Sequence, residues 1–73
     1  MDYIKNLKNN IVVNRKHLGW TQEMLAEKLG ITFQAVSKWE NGLSSPDISM
    51  LPVLSQLFGI SIDELFGMSS PHA

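Results

Sequence analysis

Gly30, Ile31 and Thr32 form a connection of about three residues between two apolar-patterned segments, and this short joint most constrains what the chain can fold into. Upstream of it, Leu25 and Leu29 stand four apart with Ala26 beside them, which marks the buried face of one helix. Thr21 is placed to cap that helix, its hydroxyl available to the first free backbone N–H groups. Gly30 follows the last periodic residue, where a left-handed C-cap needs no Cβ. Thr32 can cap a second helix almost at once. Two helices joined so tightly must cross close together, and Ala26 and Ala35 are small where the crossing falls. A larger side chain at either position would force the helices apart.

The second helix is strongly two-sided. At about 100° per residue, Ala35, Val36, Trp39 and Glu40 share one side, and Gln34, Ser37, Lys38 and Asn41 share the other. The polar stripe holds two amides, a hydroxyl and an ammonium, the groups that read base edges or hold phosphates. A plain solvated face is the alternative reading of any such stripe. The turn length matches a helix-turn-helix.

The remaining chain supplies three more helices. From about residue 4 to 18, Ile4, Leu7, Ile11 and Leu18 fall on one face with Val12 beside them. Arg15 falls on that same face, and a buried guanidinium without a partner is costly. Glu40 is the matching oddity on the core side of the second motif helix. The two are predicted to form a salt bridge that positions the polar stripe. Lys5, Lys8 and Lys16, with Asn6, Asn9, Asn10 and Asn14, read as the solvated remainder of the first helix. His17 suits a cap or dipole role at its C-terminus. Gly19 ends it, and Trp20 is expected to pack over the junction.

Gly42 to Asp47 reads as a loop from its Gly, Ser and Pro content. A fourth helix is expected from about Met50 to Phe58, with Ser49 as N-cap. Pro52 then falls in the first turn, where its missing N–H costs nothing. Leu51, Leu54, Leu57 and Phe58 are its buried face, and Gly59 ends it. Ser61 and Glu64 form a capping box for a short fifth helix that buries Leu65 and Phe66. The expected fold is therefore all-α, a compact bundle of five short helices. Residues 1–68 are read as the domain and 69–73 as a disordered tail or the start of a linker.

A chain of 73 residues is one domain, and it buries only about 60% of its unfolded surface. It has no cysteine to staple it. It shows no membrane-length apolar run and no signal-peptide pattern, so a cytoplasmic location is the expectation. The net charge of −1 is a poor footprint for a nucleic-acid binder, but it is unevenly spread. Residues 1–41 carry six cations against four carboxylates, and residues 42–73 carry only Asp47, Asp63 and Glu64. Weak non-specific affinity and strong salt sensitivity are expected. No nucleophile–base pair, metal-ligand spacing or phosphate loop is present, so an enzyme is not expected and no cofactor is implied.

Residues 21–40 resemble the helix-turn-helix of the Cro/phage-repressor family, the xenobiotic-response-element-like regulators with a lambda-repressor-like domain. The match rests on Thr21-Gln22, Ala26, Gly30, Val36, the run Ser37-Lys38-Trp39-Glu40-Asn41-Gly42, and Pro46, and it extends over nearly all of residues 4–67. It implies sequence-specific binding to double-stranded DNA as a prokaryotic or phage-type transcriptional regulator. The recognition helix, about residues 33–41, would enter the major groove. The resemblance also implies the Arg15–Glu40 pairing and a phosphate grip by Gln22 at the N-terminus of the first motif helix. The loop would lie along the DNA backbone with Ser44 and Ser45 as phosphate donors. Among base contacts, Gln34 suits adenine, Lys38 suits guanine or a phosphate, and Ser37 is short enough to act through water. Thr21, Thr32 and Asn41 are phosphate candidates. Phe33 departs from the family, which usually has a polar or basic residue there. Exposed, it would meet a thymine methyl; folded back, it is edge packing.

The family usually binds near-palindromes as a homodimer, with half-sites about 10 bp apart. Met50 and Ile62 are the apolar candidates for such a contact, and both are also candidates for the core. The competing reading is a protein-interaction module that keeps the fold, for example in a toxin–antitoxin or sensory assembly.

Overall fold

The Asp2 carboxylate accepts the Lys5 backbone N–H at 3.0 Å and starts the first helix, α1, Tyr3–His17. The structure, a computed structural model, describes residues 2–68. After α1 come α2 (Gln22–Leu29), α3 (Phe33–Glu40), α4 (Met50–Phe58) and α5 (Ile62–Leu65), with no strand among the described residues.

Leu7, Ile11 and Arg15 form the buried stripe of α1 at four-residue spacing. Ile4 and Leu18 were expected on that stripe and are instead 58% and 41% exposed. Ile4 lies beyond the turn of α1 that meets the core, at the rim of a surface cleft. At the other end, Leu18 is already the cap residue. Trp20 takes the space there, with its N–H bonded to the Arg15 carbonyl at 3.1 Å and its ring 6.4 Å from that of Phe58.

The α2–α3 joint forms as its caps dictate. The Thr21 hydroxyl accepts the Met24 N–H at 3.0 Å, and the Thr32 hydroxyl accepts the Ala35 N–H at 3.2 Å. Gly30 between them takes φ 71°, and the next N–H, of Ile31, reaches back to the Ala26 carbonyl at 3.0 Å. Leu25, Ala26 and Leu29 from α2 meet Val36 and Trp39 from α3 in one core cluster. Leu7, Ile11, Leu54, Phe58 and Leu65 complete that cluster, so every helix contributes to it.

The start of α4 differs from the sequence reading. Ser49 already has helical backbone angles and makes no side-chain cap; its hydroxyl donates to the Asp47 carboxylate at 2.7 Å. The helix is entered through a tight turn in which the Met50 and Leu51 N–H groups bond the Asp47 and Ile48 carbonyls. Pro52 still falls in the first turn. Ser61 and Glu64 close the expected capping box of α5.

At four residues, α5 is too short to persist alone, and α1 holds it. Asn10 Nδ2 donates to the carbonyls of Glu64 (3.3 Å) and Leu65 (3.0 Å), which satisfies the open end of α5. Asn10 therefore does structural work that its place on the polar side of α1 did not reveal. The expected tail at 69–73 lies outside the described residues.

Candidate nucleic-acid interface

The anchoring of α3 begins with Val36, fully buried, and Trp39, 6% exposed. Burial of that side leaves the opposite stripe outward. Gln34, Lys38 and Asn41 are exposed and Ser37 is half-buried, with its Oγ accepting a long bond from Asn41 Nδ2 at 3.4 Å. Phe33 is 41% exposed at the first position of the helix, so its ring is available to solvent on that side.

Behind the stripe, Glu40 holds α3 to both of its neighbours. Arg15 Nε donates to Glu40 Oε2 at 2.7 Å and Arg15 Nη2 donates to Glu40 Oε1 at 2.8 Å, a two-pronged pair. The third guanidinium nitrogen, Nη1, donates to the Trp20 carbonyl at 2.8 Å. The side chains are 10% and 5% exposed, so the pair is sheltered from solvent screening. Burial pushes the Glu40 carboxyl up, but hydrogen bonds from Arg15 and Gln22 outweigh it and hold the group below the usual carboxylate range. The bond from Glu40 correspondingly raises the Arg15 guanidinium. Both therefore stay charged, and among the described residues no buried side-chain nitrogen or oxygen lacks a partner.

Gln22 joins this system from the start of α2. Its Nε2 donates to Glu40 Oε1 at 2.9 Å. A primary amide nitrogen has two hydrogens, so one is committed to Glu40 and the second remains for a ligand. The caps Thr21 and Thr32 have the same duality. Each hydroxyl oxygen accepts a backbone N–H, and its own hydrogen remains free to donate outward.

Ser44 and Ser45 are exposed on the loop after α3, whose first turn is closed by the Leu43 and Ser44 N–H groups on the Lys38 carbonyl. Lys5 and Lys8 of α1 line the same cleft as these serines, a relation that a reading of α1 as a solvated face missed. The surplus of cations before residue 42 was the only sequence signal for it. The two apolar dimer candidates part company. Met50 is half-buried and packed against the core, whereas Ile62 is 39% exposed. Among the described residues no group of His, Asp and Glu is arranged to hold a metal, and no helix is long and apolar enough to cross a membrane.

A three-residue joint between capped helices, with the second anchored on one face and polar on the other, defines a helix-turn-helix domain. Residues 14–65 match the helix-turn-helix family of Cro/C1 type, and the chain belongs to that family of transcriptional regulators, which are not enzymes. It is 47% identical over 45 residues to the transcriptional activator BcrR of Enterococcus faecalis, covering 62% of this chain and 22% of that protein. It is 33% identical over 61 residues to the cryptic phage CTXphi repressor RstR of Vibrio cholerae, covering 84% of this chain and 54% of that protein. A crystal structure of a transcriptional regulator from Listeria innocua superposes with a TM-score of 0.80 at 30% identity, over 92% of this chain and 63% of that one. The chain spans between about a fifth and a half of the length of the curated relatives it matches first.

Proposed function

We propose that this chain is the DNA-reading domain of a prokaryotic or phage-type transcriptional regulator, and that it binds double-stranded DNA sequence-specifically with α3 in the major groove. The observation that carries this reading is the two-sided α3. Val36, Trp39 and the Arg15–Glu40–Gln22 system fix its inner side, and Gln34, Lys38 and the exposed Phe33 stand free on the other. Rigid support behind exposed readers is what discrimination between bases demands. Gln34 suits the paired donor and acceptor of adenine, Lys38 the acceptors of guanine, and Phe33 a thymine methyl. Ser37 acts through water. Thr21, Gln22, Thr32, Asn41, Ser44 and Ser45 hold phosphates and set the register.

One module presents few base contacts, so the working unit is a homodimer on a near-palindrome with half-sites about 10 bp apart. Ile62 is the exposed apolar candidate for that contact.

Selection from a randomised duplex pool at moderate salt tests the reading. Enrichment of an inverted repeat supports a specific dimer, and a single half-site supports a monomeric reader. A folded chain that enriches nothing and ignores generic duplex at low salt overturns DNA binding in favour of a protein-interaction module.

A further inference from the structure

The cleft between the N-terminal half of α1 and the loop after α3 has a volume of about 290 Å³. Its floor is apolar, with Leu7, Trp39 and Pro46. Its polar lining comes from two sides, Lys5 and Lys8 from α1 and Ser44 and Ser45 from the loop. Lys8 is the informative residue. It is half-buried, and its Cδ lies 3.4 Å from where a Cβ on Gly42 would stand, so its stem is laid against the loop. Neither lysine has a carboxylate partner, since Arg15–Glu40 is the one ion pair among the described residues. Asp2 also lines the cleft, at the N-terminus of α1, where one oxygen of its carboxylate accepts the Lys5 N–H and the group keeps its negative charge against the surplus of two lysines. The Lys38 carbonyl at the end of α3 is already bonded by two backbone N–H groups, so Lys8 is not needed to satisfy it. Two ammonium groups without an ion-pair partner and two hydroxyls thus stand around an apolar floor, a set of donors suited to an anion.

We propose that this cleft is a phosphodiester clamp, in which Lys8, supported by Lys5, grips one backbone phosphate together with Ser44 and Ser45. The proposal rests on the DNA-binding reading and adds α1 to the interface. The bound group is a strand phosphate flanking the groove that α3 enters, so the clamp adds affinity without adding base preference. It also gives a chain of net charge −1 a local concentration of cations where the backbone passes.

The test is the salt dependence of binding to the selected duplex and to a generic duplex, for the wild-type chain and for Lys8→Gln, Lys8→Arg and Lys28→Gln. Lys28 lies 4.6 Å from the Trp20 ring, outside the cleft, and its replacement removes the same charge elsewhere. Lys8→Gln is expected to weaken both duplexes several-fold and equally, to lower the slope of log K against log salt by about 0.9, and to leave the selected sequence unchanged. Lys8→Arg should restore the slope, and Lys28→Gln should leave it near wild type. A wild-type slope in Lys8→Gln, with the wild-type chain binding normally, overturns the clamp and leaves the DNA-binding reading intact. An equal fall in slope with Lys28→Gln overturns it too, as a general effect of charge. Binding of free inorganic phosphate to the cleft at millimolar concentration without any duplex affinity overturns both readings.

Discussion

Replacing Glu40 by Ala removes three hydrogen bonds at once, two from Arg15 and one from Gln22. It leaves a guanidinium that is only 10% exposed with a single remaining acceptor, the Trp20 carbonyl. Removing one partner of a buried ion pair costs about 3–5 kcal/mol, chiefly because the surviving charge is stranded. Arg15 sits in the last turn of α1 beside the exposed Lys16 and His17, so its long stem can carry the charge part-way to water. That relief lowers the expected cost to about 2–4 kcal/mol. A 73-residue domain has roughly 4–11 kcal/mol in total, so the variant should be close to its limit at 37 °C. Urea unfolding followed by far-UV circular dichroism reads the change directly. Thermal unfolding should show a fall of at least about 8 °C. The double variant Arg15→Met with Glu40→Leu removes both charges, and it should recover much of what either single change loses. Single variants within ±0.5 kcal/mol of wild type, or a double variant equal to the sum of the singles, would refute the reasoning.

The acid limb of stability should report on the same residue. Glu40 is held below its ordinary value near 4.5, so its contribution is fully present above that value and is lost as pH falls through the lowered one. Wild type should therefore lose stability on acidification below about pH 4.5, and Glu40→Gln should lose less over the same interval in pH-dependent urea titrations. Gly67→Ala should destabilise by about 1–3 kcal/mol, because φ is +74° and a Cβ would lie 3.0 Å from Asn6 Nδ2. Gly30→Ala meets no neighbouring atom within 4 Å and should cost less in the same thermal assay. Lys38→Ala should cost roughly 1–3 kcal/mol on the selected duplex and relax one base position, whereas an equal loss on all duplexes would make Lys38 a phosphate contact.

The parts of this fold that local chemistry dictates are readable in the sequence. Thr21, Thr32 and the Ser61–Glu64 pair mark three helix starts, and Gly30 marks the turn. The Arg15–Glu40 pair was also legible, since a lone charge on each of two apolar faces is an anomaly that mutual pairing resolves. Helical periodicity fails where it must know how far a neighbour extends. It assigns Ile4 and Leu18 to the core stripe, but Ile4 stands exposed at the rim of the cleft and Leu18 exposed as the cap of α1. Ser49 misleads for a related reason. A cap rule sees a serine before an apolar run, but it cannot see that Asp47 and Ile48 have already begun the turn. The contacts of Asn10 with α5 span 54 and 55 residues, and an asparagine on a polar face gives no local sign of them. Lys8 is hidden in the same way, because the cleft exists only once the loop after α3 folds back towards α1.

The bonds from Asn10 to α5 also order events in time. Most of this bundle forms from neighbours in sequence, and such contacts close quickly. The seam between α1 and α5 instead joins two helices more than 50 residues apart, and α5 has no stable helical form before it docks. As the chain leaves the ribosome, α1 to α3 can assemble while the Asn10 amide still faces water. The seam, and with it the burial of Leu65, must wait until residues 62–66 are clear of the exit tunnel.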